Sequence, residues 1–111
     1  MLNLNRRRAK RLAMRPHVDF RAIANAALAR APSLVTSWLP DGKRVGHEWV
    51  ARNPKRADKH IGSFSVNLTT GRWADFAVAD AAGGDLISLR AYLLGTSQLE
   101  AARSIASEVG L

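Results

Sequence analysis

Apolar residues recur at helical spacing after Asp19. Phe20, Ile23, Ala24, Ala27 and Leu28 fall at i, i+3, i+4, i+7 and i+8, one face of an amphipathic helix. Asp19 is placed to cap it, since a carboxylate there accepts from unpaired amides of the first turn, and Pro32 is expected to end it. The rhythm then shortens. Ser33 to Leu39, with Leu34, Val35, Thr36 and Trp38, reads as a strand. Pro40-Asp41-Gly42 reads as a turn, Pro fixing φ and Gly free to take positive φ. Arg44 to Arg52, with Val45, Trp49 and Val50, reads as the return strand of a first hairpin, across which Trp38 and Trp49 are expected to face each other in the core.

A second hairpin is clearer. Phe64, Val66 and Leu68 alternate with Ser63, Ser65 and Asn67, the pattern of a half-buried strand. Thr69-Thr70-Gly71 is the turn, and Arg72 to Ala77 the return strand with Trp73 and Phe76. Asp80 to Gly84 is a loop in which Gly83-Gly84 is expected to let the backbone turn sharply. A helix beginning near Asp85 carries Leu86, Ile87, Leu89, Leu93 and Leu94 and stops at Gly95. Ser97-x-x-Glu100 forms a capping box for a last helix, with Leu99, Ala102, Ile105, Ala106 and Val109 on one face. The expected fold is α+β: a small, mainly antiparallel sheet of about four strands in two hairpins, flanked by about three helices. No internal repeat or low-complexity tract interrupts it.

Composition narrows the picture. A chain of 111 residues suits one domain with a modest core. With 47% hydrophobic but only 6% aromatic residues, that core is largely Ala, Leu, Val and Ile. The absence of cysteine excludes disulfides, thiolate zinc sites and cysteine nucleophiles, and suits a reducing cytoplasm, the expected location. No apolar run approaches the roughly 18 residues that span a bilayer, and no secretory signal follows the basic N-terminus. No membrane partner is expected.

Charge changes the picture more. Seventeen Lys and Arg against nine Asp and Glu give a net +8 and a pI near 11.3. Residues 1–60 hold 14 basic and 4 acidic residues, whereas residues 61–111 hold 3 and 5. Such clustering points to a polyanionic partner. Residues 1–16 carry Arg6, Arg7, Arg8, Lys10, Arg11 and Arg15, a self-repelling arm suited to non-specific phosphate contact, with residues 17–111 as the single folded domain. Arg52, Lys55, Arg56 and Lys59 form a basic loop before the second hairpin. With Arg72 and Trp73 they suggest a cationic rim beside an aromatic ring, which suits single-stranded nucleic acid: cations track phosphates and a ring stacks on a base. Core packing is the equal alternative for Trp73. Ser63, Ser65 and Asn67 offer hydrogen bonds from their strand's polar face.

Catalytic and metal readings fare worse. Asp75, Asp80 and Asp85 fall within a short span, but Asp85 reads as a helix cap and no lysine-bearing phosphate loop or second acidic motif accompanies them. No catalytic residue, cofactor or metal is expected.

Four stretches carry a resemblance. Ser63-Phe64-Ser65-Val66, Gly71-Arg72-Trp73 and Gly83-Gly84-Asp85-Leu86-Ile87, followed by Glu100-Ala101-Ala102-Arg103-Ser104-Ile105-Ala106, resemble in order and spacing the zinc ribbon at the N-terminus of bacterial-type (DnaG-like) DNA primases. The likeness covers residues 52–111 and extends to a ligand-free version in phage and plasmid primase-helicases. Where that family places its two zinc-ligand pairs, this chain has Pro54 and Ala57, then Asp75 and Asp80. Structural zinc wants four N or S donors in tetrahedral array, which these four residues do not supply; His47 or His60 could join Asp75 and Asp80 in principle, but a His near a carboxylate is far more often a surface hydrogen-bond pair. The resemblance implies a non-catalytic module that binds single-stranded DNA template for a primase or primase-helicase of a phage or plasmid, with a primase catalytic subunit or replicative helicase as possible partner. The alternative is a protein-interaction adapter docking a helicase, a primase subunit or a host factor. A duplex-binding regulator is disfavoured, since the last two helices offer only Arg90 and Arg103 as basic residues. Nothing in the residues separates RNA from DNA, or a separate small protein from a domain of a longer one.

Overall fold

The computed structural model describes residues 18–55, 63–78 and 80–111. Helix α1 spans Phe20–Ala29, and the Asp19 carboxylate caps it by accepting from the Ala22 amide at 3.0 Å. Ile23 and Ala27 are its buried residues, while Phe20 at its start stays exposed.

The next segment departs from the sequence expectation. Ala31–Trp38 is a helix, α2, and not a strand. Pro32 opens it instead of ending its predecessor: in the first turn the missing N–H would have had no intrahelical partner. Ala31, Leu34, Val35 and Leu39 are buried, a spacing of i, i+3, i+4 and i+8 that only a helix brings to one face. Thr36, which argued for a strand, returns its hydroxyl to the Pro32 carbonyl at 2.7 Å. The expected Trp38–Trp49 pair is therefore absent. Trp38 Nε1 donates to Glu108 at 3.2 Å, and the Arg90 guanidinium lies 4.9 Å from the Trp38 ring centroid. Trp49 Nε1 donates to the Leu39 carbonyl at 2.9 Å.

Among the described residues five strands follow, one more than expected: β1 Lys43–Val45, β2 Glu48–Ala51, β3 Phe64–Asn67, β4 Trp73–Asp75 and β5 Ala82–Gly83. They form an antiparallel meander in the order β1-β2-β3-β4-β5. The first hairpin turns at Gly46-His47, not at Pro40-Asp41-Gly42, with Val45 paired to Glu48 and Gly46 at φ +61°. A two-residue hairpin turn requires that positive φ. In the second hairpin Asn67 Oδ1 accepts from the Thr69 and Thr70 amides at 2.8 and 2.9 Å.

The reading of Gly83-Gly84 as a sharp turn also needs correction, because neither residue has positive φ. Gly83 is needed for space. A Cβ there would run into Trp73 Nε1 and Ser88 Oγ and lie 2.8 Å from Trp73 Cε2, whereas a Cβ at Gly84 meets nothing within 4 Å.

Opposed residues share a sheet face. Trp49, Val66 and Trp73 form one row of the inner face, and Ala51, Phe64 and Asp75 another. Helices cover this face. Helix α3, Leu86–Leu94, starts at the Asp85 cap and ends at Gly95 with φ +67°. Helix α4, Gln98–Val109, starts at Ser97, whose Oγ accepts from the Glu100 amide at 3.1 Å. Tyr92 of α3 completes an aromatic stack with Phe64 and Trp73, ring centroids 5.0–6.1 Å apart. Ile23, Val35, Leu89 and Ile105 join the same core. Among the described residues no helix is long and apolar enough to cross a membrane.

Candidate nucleic-acid interface

The other sheet face carries no helix residues among its groove walls. Register places Lys43, Val50, Ser65, Ala74 and Ala82 in one row across it, and Val45, Glu48 and Asn67 in another. Arg72 and Phe76 flank Ala74 at two-residue spacing and so point the same way. The Phe76 amide extends the ladder by donating to the Ser63 carbonyl at 2.8 Å, and its ring is 79% exposed. A groove of about 760 Å³ runs between Glu48, Ser65 and Asn67 on one side and Arg72 and Phe76 on the other. Ala74 adds little bulk to its floor. A planar ring could settle here against Phe76, with Arg72 beside it for a phosphate.

The sequence-predicted residues divide among several places. Arg72 is exposed on this open face. Trp73, its neighbour, points the opposite way: it is 5% exposed, donates through Nε1 to Ser88 Oγ at 2.9 Å and packs on Phe64 and Tyr92. Trp73 has no free face for a base, and the core alternative holds. Lys55 lies on the helix side, its Nζ donating to the Tyr92 carbonyl at 2.8 Å and sitting 5.2 Å from the Tyr92 ring centroid. Lys55 and Arg72 therefore do not form one rim. Arg52 is exposed at the end of β2, beside a small pocket of about 190 Å³ that Trp38, Leu39 and Pro40 also line. Arg6, Arg7, Arg8, Lys10, Arg11, Arg15, Arg56, Lys59 and His60 lie outside the described residues.

Sequence reasoning missed Phe76 as a surface aromatic. The signal was available: positions 73 and 76 cannot share a face of a period-two strand, so burying Trp73 exposes Phe76.

The corner where the resemblance places the zinc ligands is built from hydrogen bonds. Asp75 is 3% exposed, accepting from Asn53 Nδ2 at 2.9 Å and from the Ala77 amide at 2.9 Å. Asn53 Nδ2 also donates to the Tyr92 hydroxyl at 2.8 Å, and Asn53 Oδ1 accepts from the Lys55 amide at 2.9 Å. Asp80 is exposed at φ +70°, and Ala57 lies outside the described residues. Among the described residues no three His, Cys, Asp or Glu side chains gather as a ligand set. Zinc does not fit this donor set: Pro54 offers no ligand, and the Asp75 oxygens already accept from an amide side chain and a backbone N–H.

The fold is similar to that of a solved primase structure from Aquifex aeolicus comprising zinc-binding and RNA polymerase domains. The TM-score is 0.67 at 21% sequence identity, over 85% of this chain and 22% of that one. This chain thus spans little more than a fifth of its structural neighbour's length. No protein-family model and no curated protein matches the sequence.

Proposed function

We propose that this chain is a non-catalytic nucleic-acid-binding module that receives single-stranded DNA across the open face of its sheet, on behalf of a primase or primase-helicase in phage or plasmid replication. The observation that carries the reading is the exposed Phe76 ring on the open sheet face, lining the same groove as Arg72 across Ala74. A ring of that kind stacks on any base of an unpaired strand, whose faces a duplex keeps buried in its own stack. The net charge of +8 supplies the long-range attraction. The likeness of fold to a primase structure supports the replication setting. The non-catalytic part rests on the commitments of the carboxylates: Asp75 is tied into the Asn53 corner and Asp85 caps α3 through the Ser88 amide at 2.8 Å.

The adapter reading has one observation in its favour. Trp73 is buried while Phe76 and Val45 are exposed apolar residues on one face. However, Glu48 and Asn67 in the row of Val45, and Ser65 in the next, lie between Val45 and Phe76, so the two do not make a continuous apolar patch. Single-stranded DNA suits alternating polar and aromatic ground better.

Fluorescence anisotropy with a labelled 12-nucleotide strand tests the choice. Phe76→Ala is expected to weaken binding by about 1–3 kcal/mol with little effect on the melting temperature, because Phe76 is largely exposed. Unchanged affinity in that variant refutes the open-face site.

A further inference from the structure

Resting on the single-strand reading above, we infer that the open face holds a base-selective site built on Glu48, which takes guanine in preference to thymine. A carboxylate is an odd resident of a surface meant for phosphates, because it lowers non-specific affinity by repulsion. Here it is also fixed in place. Ser65 Oγ donates to Glu48 Oε2 at 2.6 Å, and Asn67 Nδ2 donates to Oε1 at 3.1 Å. The Asn67 amide cannot turn over without loss, since its Oδ1 is occupied by the Thr69 and Thr70 amides. The β3–β4 turn therefore sets Asn67, and Asn67 with Ser65 sets the carboxylate.

An ionised carboxylate is acceptor-only, with about four lone-pair sites on its two oxygens. One site on each oxygen is taken by Ser65 or Asn67. Each oxygen keeps room for one incoming donor, and the pair presents two acceptors side by side at the edge of the groove that ends at Phe76 and Arg72. Guanine offers a ring N–H and an exocyclic amine in matching parallel array. Cytosine and adenine offer one exocyclic amine each. Thymine offers a single N–H between two carbonyl oxygens, which a carboxylate repels. Glu48 shares its row with Asn67, whereas Phe76 lies opposite Ser63, two strands and two rows away on the same face, so the base that meets Glu48 is a different one from the base stacked on Phe76.

Two labelled 12-mers decide the matter: all thymine, and thymine with three separated guanines. The wild-type chain is expected to bind the guanine-containing strand at least about fivefold more tightly, the lower end for one good bidentate base contact. Glu48→Gln replaces one acceptor by a donor while keeping size, and is expected to abolish the preference by weakening guanine and sparing or improving thymine. Equal wild-type affinity for the two strands overturns the inference and leaves the single-strand reading standing, a result that needs no variant to fold. A preference that survives in a folded Glu48→Gln also overturns it. Absence of binding to both strands at low salt overturns the single-strand reading, and the inference with it.

Discussion

Replacing Asn53 by Ala dismantles the corner that the resemblance assigns to zinc. The side chain is almost fully buried and its amide donates to the Asp75 carboxylate and to the Tyr92 hydroxyl and accepts from the Lys55 amide. A bond to a charged group contributes about 1.5–3 kcal/mol and a neutral one about 0.5–1.5 kcal/mol. The sum spans about 2.5–6 kcal/mol, which brackets the roughly 3–5 kcal/mol lost when a buried charge loses its partner. For a domain of this size each kcal/mol moves the melting temperature by roughly 4–8 °C, so Asn53→Ala should melt at least about 10 °C below wild type. Tyr92→Phe removes only the hydroxyl acceptor and should cost about 1 kcal/mol, while Arg103→Ala on the exposed side of α4 should stay within about 0.5 kcal/mol. Thermal and urea unfolding followed by circular dichroism gives all three. A loss below about 1 kcal/mol for Asn53→Ala, or equal losses for Asn53→Ala and Tyr92→Phe, would refute the claim that this amide organises the corner.

Two further outcomes follow from the same structure. Gly83→Ala forces a methyl group into the Trp73–Ser88 contact and should cost about 1–3 kcal/mol, whereas Gly84→Ala, which meets open space, should be nearly neutral; paired urea melts separate a packing requirement from a turn requirement. A strong chelator such as EDTA should leave the melting temperature unmoved, and a large drop would show that a metal holds the fold after all.

The second half of the chain was legible because its signals are local and agree with one another. Strict alternation from Ser63 to Leu68, the Ser97-x-x-Glu100 box and the glycine after Leu94 each have one reading, and β3, α3 and α4 lie where those signals put them. The segment from Ala31 to Leu39 misled because β-branched Val35 and Thr36 favour a strand locally, while the burial of Ala31, Leu34, Val35 and Leu39 against the other helices decides for a helix. Strand β5 has only two residues, too short to show any period. The site was half legible. Charge singles out Arg72, which is exposed on the open face, whereas Trp73 reads equally as a stacking ring or a core residue, and strand parity, which puts it and Phe76 on opposite faces, goes unused in that reading. Lys55 looked like a phosphate ligand on composition, yet the C-terminal end of α3 presents the Tyr92 carbonyl, a natural place for a cation. Glu48 drew no attention, since its role depends on two partners that arrive from β3.

Titrating the wild-type chain against single-stranded and duplex DNA at several salt concentrations tests the central claim most directly. The account expects tighter binding to the single strand, with affinity falling steeply as salt rises. Equal or tighter binding to duplex, or no binding even at low salt, would contradict it and turn attention to a protein partner for the same face.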